Sequence, residues 1–279
     1  ATISLTDDEV MAGEVLTCVA SAITDVTVQL PYDRAHLLPV RPFTVKLQSL
    51  ARMCESAVHV VARAIGRPPI VFLPGQYVNL KVPGTDEWRS YSMANAPSGN
   101  EYEFFVRLLD NGAMSRYLLE RAREGDVIEA KGPFGTFYLR ETHRPVLMIA
   151  GGTGLAPMVA MLRSMVAARQ ARAVMLCFGV TKSSDLFYLD EIDELRASFV
   201  SLDLRVSVMQ GDAGPHMSGM VTDLVTPEDT PGRDIYLCGP KGMTDRAREV
   251  LSAYHADQRR IFVERFVPAP RAEALAPVL

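Results

Sequence analysis

The segment AGGTGLAP at residues 150–157 has the composition of a phosphate-binding turn. It follows an apolar run, PVLMIAGG, and precedes a helical pattern, PMVAMLRSMVAAR. Glycines in such a turn let the backbone approach a pyrophosphate, and free N–H groups at the helix start attract its charge. The alternative is a tight turn that needs glycine only for packing, because the spacing is not G-x-G-x-x-G. The strand before it and the helix after it favour nucleotide binding.

A second candidate site lies at the end of another apolar run. The segment YLCGP at 236–240 would place Gly239 and Pro240 on the floor of a crevice, with Cys238 facing it. Ligands of open parallel sheets bind outside the carboxyl ends of the strands. A buried cysteine before a turn is the alternative, and it is the commoner outcome for a lone cysteine.

Two acidic residues follow the strand-like run AVMLCFGV. At this position an acidic group often meets the ribose hydroxyls of an adenosine, which makes Asp185 a candidate. Asp185 could equally cap the next helix, and Glu191 fits the exposed surface of that helix. Lys182 makes only a weak case for a 2′-phosphate.

The segment RSYS at 89–92 could bind a flat ring that carries a diphosphate. The planar guanidinium of Arg89 suits a diphosphate. Tyr91 could stack on the ring, and Ser92 could donate a hydrogen bond to a ring nitrogen if the strand ends there, as the following MANAP suggests. The alternative is an exposed strand with a surface arginine.

A helix start at Gly112 to Ser115 could hold a further phosphate oxygen through its free N–H groups. A helix cap by Asn111 or Ser115 is the structural alternative.

Two kinds of structure must position these residues. Short alternating runs from about 43 to 142, separated by Gly and Pro turns, predict an antiparallel barrel or sandwich, interrupted by a helix at 113–125. From about 143 onwards, apolar strands alternate with helices, which predicts a doubly wound parallel sheet. Before both, the residues TDVTVQL at 24–30 alternate and predict a strand.

Composition excludes several classes of function. A net charge of −4 does not suit a nucleic-acid binder, and no apolar run approaches the roughly 20 residues of a membrane span. The N-terminal residues do not form a secretory signal. The four cysteines are scattered, which argues against a disulfide framework and predicts a cytoplasmic protein. The five histidines lack metal-ligand spacing, so no catalytic role is assigned to them.

Taken in chain order, the motifs are more specific than any one of them: RSYS, GAMSRYL, KGPFGTFYL, RPVLMIAGGTGLAP, FGVT, DIYLCGPKGM and FVERF. They resemble the ferredoxin–NAD(P) reductase superfamily, and most closely the reductase components of bacterial aromatic-ring dioxygenases, such as benzoate or anthranilate dioxygenase reductase. The resemblance covers about residues 5–268. It implies four regions: the C-terminal part of a plant-type [2Fe–2S] ferredoxin domain of β-grasp fold (1–33), a linker (34–42), an FAD-binding antiparallel β-barrel (43–142) and an NAD-binding α/β domain with a doubly wound parallel sheet (143–279).

The resemblance also assigns roles to individual residues. Tyr91 would lie against the isoalloxazine and Ser92 near its N5 atom. The flavin-binding positions are Arg89, Tyr91, Ser92, Val106, Arg107, Leu108, Gly112, Met114, Ser115 and Phe266. The nicotinamide-cofactor positions are Gly151, Gly152, Thr153, Gly154, Asp185, Cys238, Gly239 and Pro240. The catalytic positions are Ser92, Cys238 and Glu264.

Cys18 matches the fourth cysteine ligand of a plant-type [2Fe–2S] cluster, whose pattern is C-x₄-C-x₂-C followed by a distant cysteine. The other three ligands are expected upstream of Ala1.

The implied activity is electron transfer from NADH through FAD to [2Fe–2S], and on to a terminal aromatic-ring-hydroxylating oxygenase. NADH is favoured over NADPH because no basic cluster surrounds Asp185, and FAD is favoured over FMN because of the GAMSRYL segment. One alternative is the reductase of a monooxygenase, or a free flavin or ferric reductase. The other is a non-catalytic flavin-binding regulatory subunit, in which the nicotinamide pocket would be blocked.

Overall fold

The computed structural model describes residues 10–11, 13, 15, 20–30, 38–66 and 68–266. Residues 1–37 and 38–279 form two separate units. Cys18 lies outside the described residues of the first unit. Over 24–30 the chain has no regular secondary structure, and Val26 and Val28 are exposed, so the predicted strand is wrong. Alternation alone does not make a strand, because a strand is stabilised by pairing with a neighbour, and residues 24–30 have no strand partner.

Six antiparallel strands form the first half of the second unit: β1 (Arg41–Cys54), β2 (Ala57–Ile65), β3 (Tyr77–Lys81), β4 (Trp88–Ser92), β5 (Glu101–Arg107) and β6 (Val127–Phe134). Their order in the sheet is β4-β3-β6-β1-β2-β5. The two edges meet just after β4, where Met93 pairs with Phe104 and Ala94 N donates to Glu103 O at 2.8 Å. The sheet therefore closes into a barrel, which removes both exposed edges.

Helix α1 (Ala113–Glu120) is shorter than the predicted helix at 113–125. Its backbone leaves the helix because the N–H groups of Arg121 and Ala122 both donate to Tyr117 O. The Asp126 carboxylate then accepts from Tyr117 OH at 2.6 Å and holds the turn that follows. A local side-chain acceptor of this kind competes with the helical hydrogen-bond pattern.

Six parallel strands form the second half: β7 (Val146–Gly151), β8 (Val174–Val180), β9 (Leu202–Val208), β10 (Met217–Ser218), β11 (Asp234–Pro240) and β12 (Ile261–Phe266). Their order is β10-β9-β8-β7-β11-β12. The helices are α2 (Leu155–Ala167), α3 (Leu189–Arg196) and α4 (Lys241–Ala253). The chain runs outward from β7 and then returns beside it as β11, which creates a crevice at that point. The predicted fold class, a barrel followed by a doubly wound sheet, is confirmed.

The barrel and the parallel sheet share one hydrophobic core. Ala57 and Phe105 of the barrel belong to the same buried cluster as Met148 and Tyr236 of the sheet. A second cluster on the opposite face of the sheet packs Leu147 and other strand residues against α4. The shared core fixes the two halves against each other. Among the described residues, no helix is both long and apolar enough to cross a membrane.

Candidate functional site

A cavity of about 450 Å³ opens at the carboxyl ends of the parallel strands. The sheet contributes the turn after β7, the ends of β8 and β11, and the loop before Thr222. The barrel contributes Ser56, Ala57 and Arg107, so the cavity lies where the two halves meet. Five of the predicted nicotinamide positions line it: Gly151, Gly152, Thr153, Asp185 and Pro240. Gly154, Cys238 and Gly239 do not.

Glycine is required in the turn after β7 for two different reasons. Gly152 has a φ of +54°, which lies in the left-handed region that favours glycine. A Cβ on Gly154 would lie 2.2 Å from the carbonyl oxygen of Cys238, so the loop can approach β11 only without a side chain. The turn continues directly into α2, whose first N–H groups have no intrahelical acceptor.

Charged and polar side chains at the cavity suit a nucleotide. Arg107 and Arg246 bring two cations to its wall, and Asp185 brings an anion. Thr222 also lines it, and the buried hydroxyl of this residue has no hydrogen-bond partner among the described residues. A buried hydroxyl without a partner is costly, so a ligand that supplies a partner is favoured. Arg246 and Thr222 were not predicted from the sequence, because neither belongs to a glycine motif.

Asp185 lies at the cavity, as one of the two alternatives required, but it is not the N-cap of the next helix, because Tyr188 occupies that position. Asp185 is the last residue of a 3₁₀ turn, Ser183–Asp185, and its Oδ2 accepts from Lys182 N at 3.3 Å. Glu191 is an exposed residue of α3, in agreement with the surface alternative.

Cys238 does not face the cavity, which corrects the prediction made for YLCGP. Its side chain is fully buried in the core that joins the sheet to the barrel, together with Tyr236. Alternation along β11 turns both side chains to this face, because they are two residues apart. Burial, and to a smaller extent Glu264, raises the pKa of the Cys238 thiol well above its usual value. The thiol is therefore neutral.

The candidate flavin residues of β4 lie at the end of that strand, as expected. Ser92 is its last residue and is buried, and its register partner on β3 is Tyr77. The Tyr91 ring is partly buried and lies edge-on to Phe104, with centroids 6.4 Å apart. Arg89 is also partly exposed and is paired with Glu87, so a diphosphate could bind its guanidinium only by replacing Glu87.

The start of α1 offers backbone groups rather than side chains. Gly112 occupies the N-cap position without a side-chain cap, so Asn111 does not fill that role. Ser115 Oγ accepts from Leu109 N at 2.8 Å, and Met114 belongs to the barrel core. Val106 also points into the barrel core, whereas Arg107 lines the cavity and Leu108 is partly buried.

Tyr77, which the sequence did not single out, connects two of the predicted catalytic residues, Ser92 and Glu264. Burial and the Glu264 carboxylate raise the pKa of Tyr77, and Tyr77 pairs with Ser92 on the neighbouring strand. Glu264 in turn pairs with Cys238 across β11 and β12. A Cβ on Gly135 would lie 3.0 Å from the Tyr77 ring and 3.5 Å from Glu264 Oε2, so glycine leaves room between them.

The carboxyl of Glu264 changes its protonation near neutral pH. Burial raises the pKa of its carboxyl to about 7. Phe266, two residues later, ends β12 and is partly buried against the shared core. The end of β12 therefore brings a titratable carboxyl and an aromatic ring to the side of the barrel that carries Tyr77.

The fold, the residues of the nucleotide cavity and the candidate flavin residues of the barrel together define a class: two-domain oxidoreductases that bind a flavin and a nicotinamide nucleotide. Comparison with protein families agrees. Residues 57–138 match the oxidoreductase FAD-binding domain, and residues 148–249 match the oxidoreductase NAD-binding domain. The chain belongs to the family of electron-transfer reductase components of oxygenase systems.

Three comparisons illustrate this membership. The 2-halobenzoate 1,2-dioxygenase electron transfer component of Burkholderia cepacia is 36% identical, over 95% of this chain and 80% of the relative. The propane 2-monooxygenase reductase component of Mycolicibacterium smegmatis is 34% identical, over 95% of this chain and 80% of the relative. Among solved structures, an Amycolatopsis cytochrome P450 reductase is 30% identical with a TM-score of 0.78, covering 83% of this chain and 72% of that one.

Proposed function

We propose that the chain oxidises NADH, passes both electrons to FAD held on the barrel, and delivers them singly through a [2Fe–2S] centre to a terminal aromatic-ring-hydroxylating oxygenase. The observation that carries this proposal is the position of the cavity. Its glycine turn belongs to the parallel sheet, whereas Ala57 and Arg107 in its wall belong to the barrel. A nucleotide in the cavity would therefore meet the flavin half of the protein directly.

The residues present fit both cofactors. For NADH, Arg107 and Arg246 would neutralise the pyrophosphate, Asp185 would accept from the ribose hydroxyls, and the unpartnered hydroxyl of Thr222 would gain a hydrogen bond. For FAD, the N-terminus of α1 would hold the pyrophosphate. Bound FAD supplies the conversion from two-electron to one-electron transfer.

The chain's own contribution is orientation and the exclusion of water. Tyr91 would lie against the ring, and the Ser92 hydroxyl would donate to it. Cys238 is neutral and buried in the core that the sheet shares with the barrel, so it keeps this junction apolar. Glu264 holds a proton up to about pH 7, close to Tyr77. Alignment of this kind accounts for a large part of the rate of such reactions.

The non-catalytic alternative requires a blocked nucleotide pocket. Nothing lies within 4 Å of the Cβ position of Gly152, and the cavity is about 450 Å³, both of which support an open pocket. The class of oxygenase rests on the relatives alone. Dioxygenase and monooxygenase components are similarly identical to the chain, so a monooxygenase reductase is the second candidate.

Anaerobic mixing with NADH tests the main step. We expect the yellow absorbance of the flavin to bleach in a single turnover with NADH, and much more slowly with NADPH. Persistence of the absorbance with FAD bound and NADH saturating would contradict the proposal. Product formation with purified dioxygenase and monooxygenase partners then separates the two candidates.

The iron–sulfur centre needs its own test. Cys18 is proposed as its fourth ligand. Iron and sulfide assays with the visible spectrum should show a cluster that Cys18→Ser removes while the flavin stays bound. The proposed cytoplasmic location agrees with the free thiols of Cys54, Cys177 and Cys238.

A further inference from the structure

Four polar side chains join the barrel to the parallel sheet beside the shared core. They are His59 of β2, Glu103 of β5, Arg163 of α2 and Tyr188, and together they are called the interdomain clamp. We propose that Arg163 is a positioning residue that acts through this clamp to hold the nucleotide cavity in register with the flavin side of the barrel. The inference rests on the proposed function, since it concerns the rate of that electron transfer.

Arg163 makes three contacts that cross between the two halves or tie the clamp together. Its Nη1 donates to Glu103 Oε1 at 2.9 Å and to the Ala94 carbonyl oxygen at 3.2 Å, and both acceptors belong to the barrel. Its Nη2 donates to Tyr188 OH at 2.5 Å. The second oxygen of Glu103 lies 3.0 Å from His59 Nε2. A guanidinium suits this role because its donors have a fixed planar geometry.

The clamp is shielded enough for these contacts to be directional. The side chains of Glu103, His59 and Arg163 are 16%, 23% and 28% exposed. Burial raises the pKa of the Glu103 carboxyl, but hydrogen bonds from His59 and Arg163 outweigh burial, and the pKa is lowered overall. Glu103 is therefore a carboxylate that keeps its cationic partner, and such partly buried pairs are less screened than surface pairs.

On the barrel side, the clamp is connected to the cavity through continuous strands. His59 lies two residues after Ala57 on β2, and Ala57 lines the cavity. Glu103 lies four residues before Arg107 on β5, and Arg107 lines it as well. The two strands are paired with each other, and His59 lies opposite Phe105. A shift of the clamp would therefore move the barrel wall of the cavity.

On the sheet side, the connections are equally short. Arg163 is on α2, which begins directly after the Gly152–Gly154 turn. Tyr188 follows Phe187, another residue of the cavity wall. Arg163, Glu103 and Tyr188 do not themselves line the cavity. Loss of the clamp should therefore change how the nucleotide is aligned with the flavin and leave its binding contacts in place.

Rapid mixing of the holoenzyme with NADH tests this inference, with Arg163→Met as the main variant. At saturating NADH, we expect the limiting rate of flavin bleaching to fall about 10- to 100-fold, because a misplacement of about 1 Å costs about that much. The dissociation constant for NAD⁺ should change less than about threefold, since no nucleotide contact is removed. Arg163→Lys keeps the charge and should recover part of the rate.

Arg196→Met is the matched control, because Arg196 belongs to a helix of the same sheet and pairs with Asp193 on the exposed surface. Its limiting rate should equal that of the wild type. If Arg163→Met fails to fold with FAD bound, Glu103→Gln removes the same ion pair with little change of shape and should show the same loss of rate.

The outcomes separate this inference from the proposed function. A wild-type protein that does not bleach with NADH overturns both. A wild-type protein that bleaches, together with Arg163→Met or Glu103→Gln at the wild-type limiting rate, overturns only the positioning role. A variant that loses nucleotide affinity without losing limiting rate also overturns it, and so does an equal loss of rate in Arg196→Met.

Discussion

Cys238 and Glu264 are register partners on the adjacent parallel strands β11 and β12, at the junction of the sheet and the barrel. Burial raises the pKa of both groups, and the Glu264 carboxylate adds to the rise for Cys238. The result is a neutral thiol beside a carboxyl that titrates near neutral pH. The protonation of Glu264 is therefore coupled to the stability of this junction.

Replacement of Glu264 by Gln should make stability less dependent on pH. The folded pKa is about 7 against an ordinary value of 4.5, so between these values the folded state holds a proton that the unfolded chain has lost. The wild-type free energy of unfolding should fall by about 3 kcal/mol as pH rises through this window, and the loss is complete above pH 7. The side chain of the Glu264→Gln variant cannot ionise, so its free energy of unfolding, measured with urea, should depend less on pH. At pH 8 this variant should be more stable than the wild type.

Glu124→Gln is the control for that experiment, because Glu124 is exposed. It should follow the wild-type pH dependence. Identical pH dependence in the Glu264→Gln variant and the wild type would rule out the raised pKa.

Thr222→Val should weaken nucleotide binding without loss of stability. Thr222 lines the cavity, and its buried hydroxyl has no hydrogen-bond partner among the described residues. Valine has a similar shape, so it removes the energetic cost of burying an unpartnered hydroxyl in the free protein. It also removes the hydrogen bond that this hydroxyl would make to the nucleotide in the complex. The dissociation constant for NAD⁺, measured by calorimetry, should rise about 5- to 100-fold. In the control Thr230→Val, a hydroxyl that donates to the Pro227 carbonyl oxygen is lost, so stability should fall while affinity is unchanged. Unchanged affinity in Thr222→Val would exclude a ligand contact at this hydroxyl.

Asp185→Ser should shift the choice of nucleotide towards NADPH. The Asp185 carboxylate at the cavity would repel a 2′-phosphate, and a serine removes that repulsion. The ratio of kcat/KM for NADH to kcat/KM for NADPH should fall about tenfold, which corresponds to about 1.4 kcal/mol. Glu191→Ser, on the exposed face of α3, should leave the ratio unchanged. Equal ratios in Asp185→Ser and the wild type would place the ribose elsewhere.

Gly154→Ala should damage the nucleotide turn, whereas Gly242→Ala should be tolerated. A Cβ at Gly154 would lie 2.2 Å from a backbone oxygen of β11, which cannot move without disturbing the sheet. We expect a loss of about 2 kcal/mol or more in the free energy of unfolding, together with weaker NAD⁺ binding. Gly242 also lines the cavity, but nothing lies within 4 Å of its Cβ position. Equal stability of the two variants would contradict the close approach.

Local sequence signals were sufficient where a structure depends on neighbours in the chain. The apolar strand before Gly151 and the short glycine turn after it both appear as predicted, because hydrophobic runs and glycine turns are properties of a few consecutive residues. The end of β4 at Ser92 was predicted for the same reason. The strand over 24–30 failed because alternation does not supply a partner strand.

The sequence by itself thus determined the two-part fold, the nucleotide turn and the order of the family motifs. Only the tertiary structure decided that Cys238 points into the core, that Glu264 titrates near pH 7 and that Arg163 meets Glu103. Each of these depends on contacts between residues far apart in the chain; Arg163 and Glu103, for example, are separated by 60 positions. Strand register and burial set those contacts, and neither is encoded in a short motif.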